Sequence, residues 1–541
     1  MQSNSNLLGL FCTVILFILI SFHISTSYSF STVINVEGDN YADYIIYNGT
    51  IITVDPSFAL FDAIAIKGSK IIALGTTESI LNQYGLPGNT KFLNLNGKAV
   101  LPGWIDGHSH IFNLARFNDY GILGAQDLAL SYGYTSINEK FAKDDVIDIM
   151  LGLEASGDLK MRINMFASYD DSILDENNQT IILQSWFPAH DPILNTNHLF
   201  RIPGIKIFMD GAFVPSRGAW AMSQPMPEQD MNTWLKDITT NPYGDLYFNT
   251  SQLIPIVSQA QDMGYSVAFH SMGDRAIETV VEVISNVTNG SDTNYRHQIE
   301  HSSYLRPDLL QDYVNLDMTA SVRGYYPTCD SYAKDVENFF SPGYFNKTWY
   351  VNRYNMSSSG VNVYLETDFA WTYTIGDKSN SRNLNPYLNL FGLVTRAQVA
   401  SNGTVCQPES WMNPDKISLE DAIRIMTIEG ARAVREENAT GSLEVGKYAD
   451  LIIVPISPFD IDSYQLKDLY TLMTMVGGNV EYTNSTSGIN FSVQSTTSQN
   501  SRLIGSVSTS NTEKTFYDPF ELVLIWVIAI RKSRFSRPNQ K

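Results

Sequence analysis

The chain is 541 residues long, 44% hydrophobic and 12% aromatic, which leaves room for one large barrel with an accessory domain or for about two to four smaller domains. Its formal net charge is −20 and its pI near 4.8. That balance argues against a nucleic-acid or anionic-membrane partner and fits plain solubility.

Residues Leu7 to Phe22 form an apolar run the length of a signal-peptide core, followed by small and polar residues from Ser25 to Thr32. No Lys or Arg precedes the run, so an uncleaved anchor stays open. Asn-x-Ser/Thr acceptors at Asn48, Asn178, Asn249, Asn286, Asn346, Asn355, Asn402, Asn438, Asn484 and Asn490 support routing through the secretory pathway, to the outside or to an endolysosomal lumen. Cys12 would leave with the leader, and Cys329 and Cys406 remain as a candidate pair.

Short strands separated by turns come next, at Tyr44–Thr53, Ala63–Lys67 and Lys70–Leu74. After them stands the run Leu101-Pro-Gly-Trp-Ile-Asp-Gly-His-Ser-His110. Residues i and i+2 of a strand point the same way, so His108 and His110 present two imidazoles to one side, a start on a divalent metal site. From here to about residue 430, apolar β-type runs alternate with helical stretches, the pattern of a parallel barrel or a doubly wound sheet. Candidate strands are Val100–Asp106, Tyr134–Asn138, Ile163–Ser168, Ile205–Met209, Ser266–His270, His297–Glu300, Met318–Val322 and Val361–Glu366, and eight is the number that closes a (β/α)8 barrel. Helices are expected at Asp144–Glu154, Ser251–Met263, Asp274–Ser285 and Arg306–Val314.

In such a barrel the chemistry sits at the carboxyl ends of the strands. His108 and His110 end the first strand, Lys206 lies in the fourth, and His270 ends the fifth. His301 follows the sixth and Asp368 the eighth. Each has a plain alternative: a surface lysine, a satisfied core histidine, a helix N-cap. His297 rivals His301 from four residues earlier, and Glu366 rivals Asp368. A lysine pointing into the mouth must be neutralised, paired or modified, because burying a lone charge is expensive. A carbamate formed with CO2 would make Lys206 an anionic oxygen ligand able to bridge two cations.

Together these residues resemble the amidohydrolase superfamily, and within it the family-3 amidohydrolases, the branch of YtcJ-like proteins and N-substituted formamide deformylases. Leu101–His110 looks like the family's first-strand metal motif, and Gly204-Ile-Lys-Ile-Phe-Met-Asp-Gly211 like its carboxylated-lysine segment. His270-Ser-Met-Gly-Asp-Arg-Ala276 and Arg296-His-Gln-Ile-Glu-His301 are close to its fifth- and sixth-strand motifs. Thr367-Asp368, Asn385-Pro-Tyr-Leu and Val394-Thr-Arg396 resemble the family's eighth-strand aspartate and the stretch after it. Thr427-Ile-Glu-Gly-Ala431 and Gly441-Ser-Leu-Glu-Val-Gly-Lys-Tyr-Ala-Asp-Leu451 resemble its return into a second domain. The resemblance runs from about residue 42 to 482. It implies an α/β chain: a distorted TIM (β/α)8 barrel over 101–435, with a small β-sandwich domain formed from both flanks, 42–100 and 436–482. The returning strands would be Asp450–Val454 and the hairpin-like Met475–Tyr482. Two departures stand out. The stretch after His110 is short, so the usual substrate-covering subdomain looks absent, and after the seventh strand the chain has Ser321-Val-Arg-Gly-Tyr-Tyr-Pro327 where a histidine is frequent. Arg323, Tyr325 or Tyr326 could meet the substrate or simply pack.

The implied chemistry is metal-assisted hydrolysis of a C–N bond in a small amide-type molecule, with one or two divalent cations, expected to be Zn2+. His108, His110 and Asp368 would hold the first, and His270 and His301 the second, with N6-carboxylated Lys206 between them. Asp368 would be the general base and then acid. Glu300 and Asp274 are candidate partners that orient imidazoles. Alternatives are a mononuclear N-acyl amino acid deacylase and a non-catalytic glycosylated binding protein on the same barrel. At the carboxyl end, residues 483–515 are rich in Ser, Thr and Asn, and Phe520–Ile530 is an apolar segment followed by Arg531-Lys-Ser-Arg534. About ten apolar residues cannot span a bilayer as a helix. Membrane contact is expected only through an uncleaved leader or this segment.

Overall fold

The computed structural model describes residues 41–112, 121–169, 172–174, 180–182, 186–212, 218–226, 236, 239–291, 294–324, 356–369, 382–400, 402–407 and 417–494. The chain separates into Met1–Tyr41 and a unit from Ala42 onward, and the second unit holds every described strand and helix. The leader, Cys12, Cys329, Tyr325, Tyr326, three of the acceptor asparagines (Asn178, Asn346 and Asn355) and the apolar segment after residue 515 lie outside the described residues. Among the described residues no helix is long and apolar enough to cross a membrane.

Eight parallel strands form one sheet in chain order: β1 (Trp104–Ser109), β2 (Tyr134–Ala142), β3 (Arg162–Ser168), β4 (Phe200–Phe208), β5 (Ser266–Ser271), β6 (Gln298–His301), β7 (Thr319–Val322) and β8 (Asn362–Leu365). They are buried along nearly their whole length, which is why β4, β5 and β8 read mainly as apolar runs rather than alternating ones. The sheet curls back on itself. Asp368 N donates to His108 O at 2.9 Å and His110 N to Phe369 O at 3.1 Å, so the two ends of the sheet meet at the rim that carries the candidate site.

Helices cover the outside, each bounded by local chemistry. Asp144–Ser156 ends on Gly157 at φ 78°, a left-handed position that glycine takes without strain. Thr250–Asp262 starts on a capping box between Asn249 and Gln252. Asp274–Thr288 lays a broad apolar face, from Ile277 to Ile284, into the core. The stretch expected as one helix over Arg306–Val314 begins as a 3-10 turn, Pro307–Leu309, and is α-helical only over Leu310–Asn315. After His110, Ile111 and Phe112 turn into the core, and the helix Gly121–Tyr132 buries Ile122, Ala125, Ala129 and Leu130 against it.

A second sheet of nine strands takes material from both flanks. Its main path runs Asn479–Thr483, Met473–Val476, Leu451–Val454, Ala99–Pro102, Tyr44–Ile52, Leu60–Lys67, Lys70–Gly75, with Lys91–Asn94 and Ser492–Val493 beside it. Gly477 and Gly478, both at positive φ, form the two-residue turn between Met473–Val476 and Asn479–Thr483. The single strand expected over Val100–Asp106 is two. Ala99–Pro102 pairs antiparallel with Leu451–Val454, whereas Trp104 begins pairing with Tyr134 in the barrel. Gly103 is the handover, and a Cβ there would lie 2.1 Å from Thr135 Cγ2.

Candidate metal centre

His108 and His110 leave the end of β1 with their Nε2 atoms 3.2 Å apart. Asp368, just past β8, places Oδ1 3.6 Å from the first and 3.4 Å from the second. A tetrahedral cation about 2.0–2.1 Å from its donors sets those donors about 3.3 Å apart, so the three atoms form one face of such a site. Two neutral imidazoles and a carboxylate are also the donor chemistry that zinc prefers. β1 and β8 approach this closely because Gly107 has no side chain: a Cβ there would lie 2.1 Å from the Tyr364 ring and 2.8 Å from the Leu365 carbonyl oxygen. Asp106 ties the same strands together, accepting the Thr367 hydroxyl at 2.5 Å and its backbone N–H at 3.1 Å.

The remaining candidates stand next to this triangle. The His301 ring is 4.8 Å from that of His108 and 4.7 Å from that of His270. Lys206 is buried in β4, and its charge acts on His108, His110 and His270 alike. His301 sits at φ 72° and Asp368 at φ 49°, left-handed backbone that non-glycine residues adopt at a cost and that concentrates at functional sites. The structure thus gathers all six predicted positions at one rim.

Carboxylates back the imidazoles. His108 Nδ1–H donates to Glu300 Oε2 at 2.7 Å, which leaves the Nε2 lone pair facing the triangle. His301 Nδ1 is 3.1 Å from Glu366 Oε1. His110 Nδ1 is 3.8 Å from Glu139 Oε1. His270 Nε2 lies 3.3 Å from the Gly211 carbonyl oxygen and 3.7 Å from Asp210 Oδ1. A second group of close donor atoms is His108, His301 and Glu366. There Glu366 also accepts the Ser321 hydroxyl, the His301 backbone N–H and Arg323 Nε, so it is committed to orienting His301 rather than to holding an ion.

Electrostatics keep the donors in their binding forms. Burial first holds His108 well below the ordinary histidine pKa despite its carboxylate neighbour, and the unmodified Lys206 ammonium adds to it. Burial lowers His110 and His270 as well. For Asp368 burial works upward, but Arg323 and His110 overcome it and hold the carboxyl below its usual range. Neutral imidazoles and an ionised carboxylate are what a cation needs.

Sequence reasoning missed several members. The polar run Asn138-Glu139-Lys140 reads as the end of a strand, yet β2 continues through it, fully buried. Lys140 Nζ lies 2.5 Å from Gln298 Oε1, 3.3 Å from Glu300 Oε1 and 3.3 Å over the Phe166 ring. It therefore holds Glu300 as a carboxylate, against burial. Asp210 accepts the N–H groups of Ala221, Met272 and Gly273 and braces the loop after β5. Asp274, expected to orient an imidazole, instead accepts the Ser223 backbone N–H and hydroxyl. As the first residue of a helix that leads away from the rim, it faces a neighbouring loop. Cys406 is disulfide-bonded.

The chain matches the Amidohydrolase family over residues 116–482. It is 27% identical over 285 residues to Protein LONG AFTER FAR-RED 3 of Arabidopsis thaliana, covering 52% of this chain and 42% of that protein. It is 24% identical over 292 residues to N-substituted formamide deformylase of Arthrobacter pascens, covering 53% and 46%. The matches thus span less than half the length of either relative. An uncharacterized metal-dependent hydrolase from Pyrococcus furiosus superposes with a TM-score of 0.58 at 18% identity, over 77% of this chain and 99% of that one, which establishes a shared fold.

Proposed function

The chain belongs to the amidohydrolase family, and from that premise we propose that it is a metal-dependent hydrolase that cleaves a non-peptide carbon–nitrogen bond in a small amide-type molecule. The observation that carries this is the triangle of His108 Nε2, His110 Nε2 and Asp368 Oδ1, with edges of 3.2, 3.6 and 3.4 Å. These three atoms would hold one divalent cation, zinc by donor preference. His270, His301 and N6-carboxylated Lys206 would hold a second. When bound, such cations supply Lewis acidity and acidify a coordinated water toward neutral pKa.

The protein's own groups do the rest. Asp368, kept ionised by Arg323 and His110, accepts at Oδ2 the proton of the attacking water and delivers it to the leaving nitrogen as the C–N bond breaks. The hydroxyl stays on the acyl carbon, so the products are an acid and an amine. Glu300 and Glu366 keep His108 and His301 in orientation through the cycle. A secretory location accompanies this reading. Asn48, Asn249, Asn286, Asn402, Asn438 and Asn490 are exposed acceptors, and a mobility shift on enzymatic glycan removal from secreted protein would test it.

Elemental analysis of wild type, His108→Ala and Lys206→Ala tests the centre. We expect about two zinc per chain, falling in both variants. About one zinc, lost with His108 but kept with Lys206, reduces the reading to a single-cation site. A folded wild-type chain that binds no divalent cation overturns it.

A further inference from the structure

At the end of the barrel away from the candidate metal centre lies a cavity of about 200 Å3. Its lining includes Met318, just before β7, Asn362, the first residue of β8, and Tyr313 of the helix Leu310–Asn315. Glu429 and Arg432, on the helix Ile428–Ala433, line it as well. Tyr313 and Met318 are buried, whereas Arg432 is exposed, so the cavity runs from the packed interior out to solvent. About 150 Å3 is enough to take a benzene-sized molecule, and this space therefore fits a single ring rather than one ordered water.

Asn362 decides what such a molecule must carry. Its Nδ2 and Oδ1 are both shielded from solvent, and among the described residues neither has a hydrogen-bond partner. Buried polar groups are nearly always paired, and leaving one unpaired is costly. Interchanging the two atoms changes nothing, since both lack a partner. A carboxylate could satisfy only the Nδ2–H groups, and an ammonium only Oδ1. The wall carries both signs of charge: Arg432 acts on Glu429, and Asp317 is engaged by Arg296 at 3.4 Å. Neither a net anion nor a net cation is favoured there. A ring amide, a urea or a primary amide meets both needs, because its N–H and C=O point the same way and can lie antiparallel to the asparagine edge. In an open-chain trans secondary amide they point apart.

We propose that this cavity is a binding site for a small neutral molecule with an N–H and a C=O side by side on one edge, as in a lactam, a cyclic imide, a urea or a primary amide. Asn362 would pair with that edge through both of its amide atoms, and Tyr313 and Met318 would pack against the rest. The site is independent of the hydrolase reading, since Asn362 opens the strand at whose far end the donors stand.

The test titrates the full chain with 2-pyridone, a planar lactam with the paired edge, and with N-methyl-2-pyridone, which keeps the ring and carbonyl but lacks the N–H. Binding is read by ligand-observed NMR for wild type, Asn362→Leu, Asn362→Ala and His108→Ala, with circular dichroism as the check on folding. Wild type is expected to bind 2-pyridone about 10- to 100-fold more tightly than the N-methyl compound, the span of one or two neutral hydrogen bonds. Asn362→Leu and Asn362→Ala should both erase that preference, the second without narrowing the space. His108→Ala should keep it, which separates the cavity from the rim. No saturable binding by wild type (a cavity filled by water), a preference that survives both Asn362 variants (a methyl group too large for the space), or one lost with His108→Ala (binding at the rim) each overturns the proposal. A wild-type chain that binds no divalent cation but keeps the Asn362-dependent preference strikes the hydrolase reading and leaves this site standing.

Discussion

His297 and His301 lie four residues apart, and on a continuous strand both would face one side, yet they end in separate environments. β6 spans only Gln298–His301, and His301 closes it in left-handed backbone, which turns its ring into the rim beside His108 and His270. His297 precedes the strand: its Nδ1 accepts the Val267 N–H at 3.1 Å and its ring stacks on Tyr295. Burial first, then the Arg435 charge, push its pKa down to about 3. In the unfolded chain the same group titrates near 6.5, so between these values the unfolded state binds more protons and stability falls as pH is lowered. His297 contributes up to about 1.4 kcal/mol per pH unit across that window. Urea midpoints measured from pH 7 down to 4.5 should show a shallower loss for His297→Gln than for wild type, because glutamine can accept the same N–H without titrating. Identical slopes would mean that His297 is not held neutral in the fold.

β2 shows at the level of an element what a strand can contribute without supplying a ligand. It carries Glu139 toward His110 and Lys140 toward Glu300, so the orientation of His108 depends on a cation one strand removed from its carboxylate. Replacing Lys140 by Met should weaken zinc binding by about 10- to 100-fold, the usual loss when a group that orients a ligand goes. Competition with a chelator would show it, with circular dichroism confirming the fold, and undiminished affinity in a folded variant would remove Lys140 from this role. The barrel strands themselves were largely legible, since buried parallel strands leave apolar runs in the chain, and so were the side chains that gather at their ends. The supporting carboxylates were harder to read. His108 meets Glu300 across 192 residues and His301 meets Glu366 across 65, and no local pattern encodes a pairing that exists only once the barrel closes. Gly103 was hidden for the opposite reason: Ala99–Pro102 and Trp104–Ser109 are both strands, and one glycine suffices to pass the chain from one sheet to another.

At the scale of the whole molecule, the two sheets must hold a fixed relation if β1, which continues directly from Ala99–Pro102, is to aim its histidines. Arg162, the first residue of β3, places Nε 2.6 Å from Asp450 Oδ2, and both side chains are buried. Asp450 stands immediately before Leu451–Val454, and its Oδ1 also accepts the Gly477 N–H at 2.7 Å in the hairpin turn. The Arg162 guanidinium lies over the Tyr448 ring at 4.0 Å. One carboxylate therefore joins barrel, returning strand and hairpin, which gives the Tyr448-Ala-Asp-Leu451 sequence a structural reason independent of chemistry at the opposite rim. Breaking a buried pair by removing one partner leaves the other charge uncompensated, at a cost of about 3–5 kcal/mol, whereas replacing both by apolar groups of similar volume is often close to neutral. Asp450→Ala should therefore lower the melting temperature markedly, and Arg162→Met/Asp450→Leu should recover much of that loss. Zinc content per folded chain should stay near the wild-type value in both, since neither residue touches the donors. A single variant as stable as wild type would show that the pair does not join the sheets energetically. Lost zinc in a fully folded double variant would show instead that the pair helps to set the aim of β1.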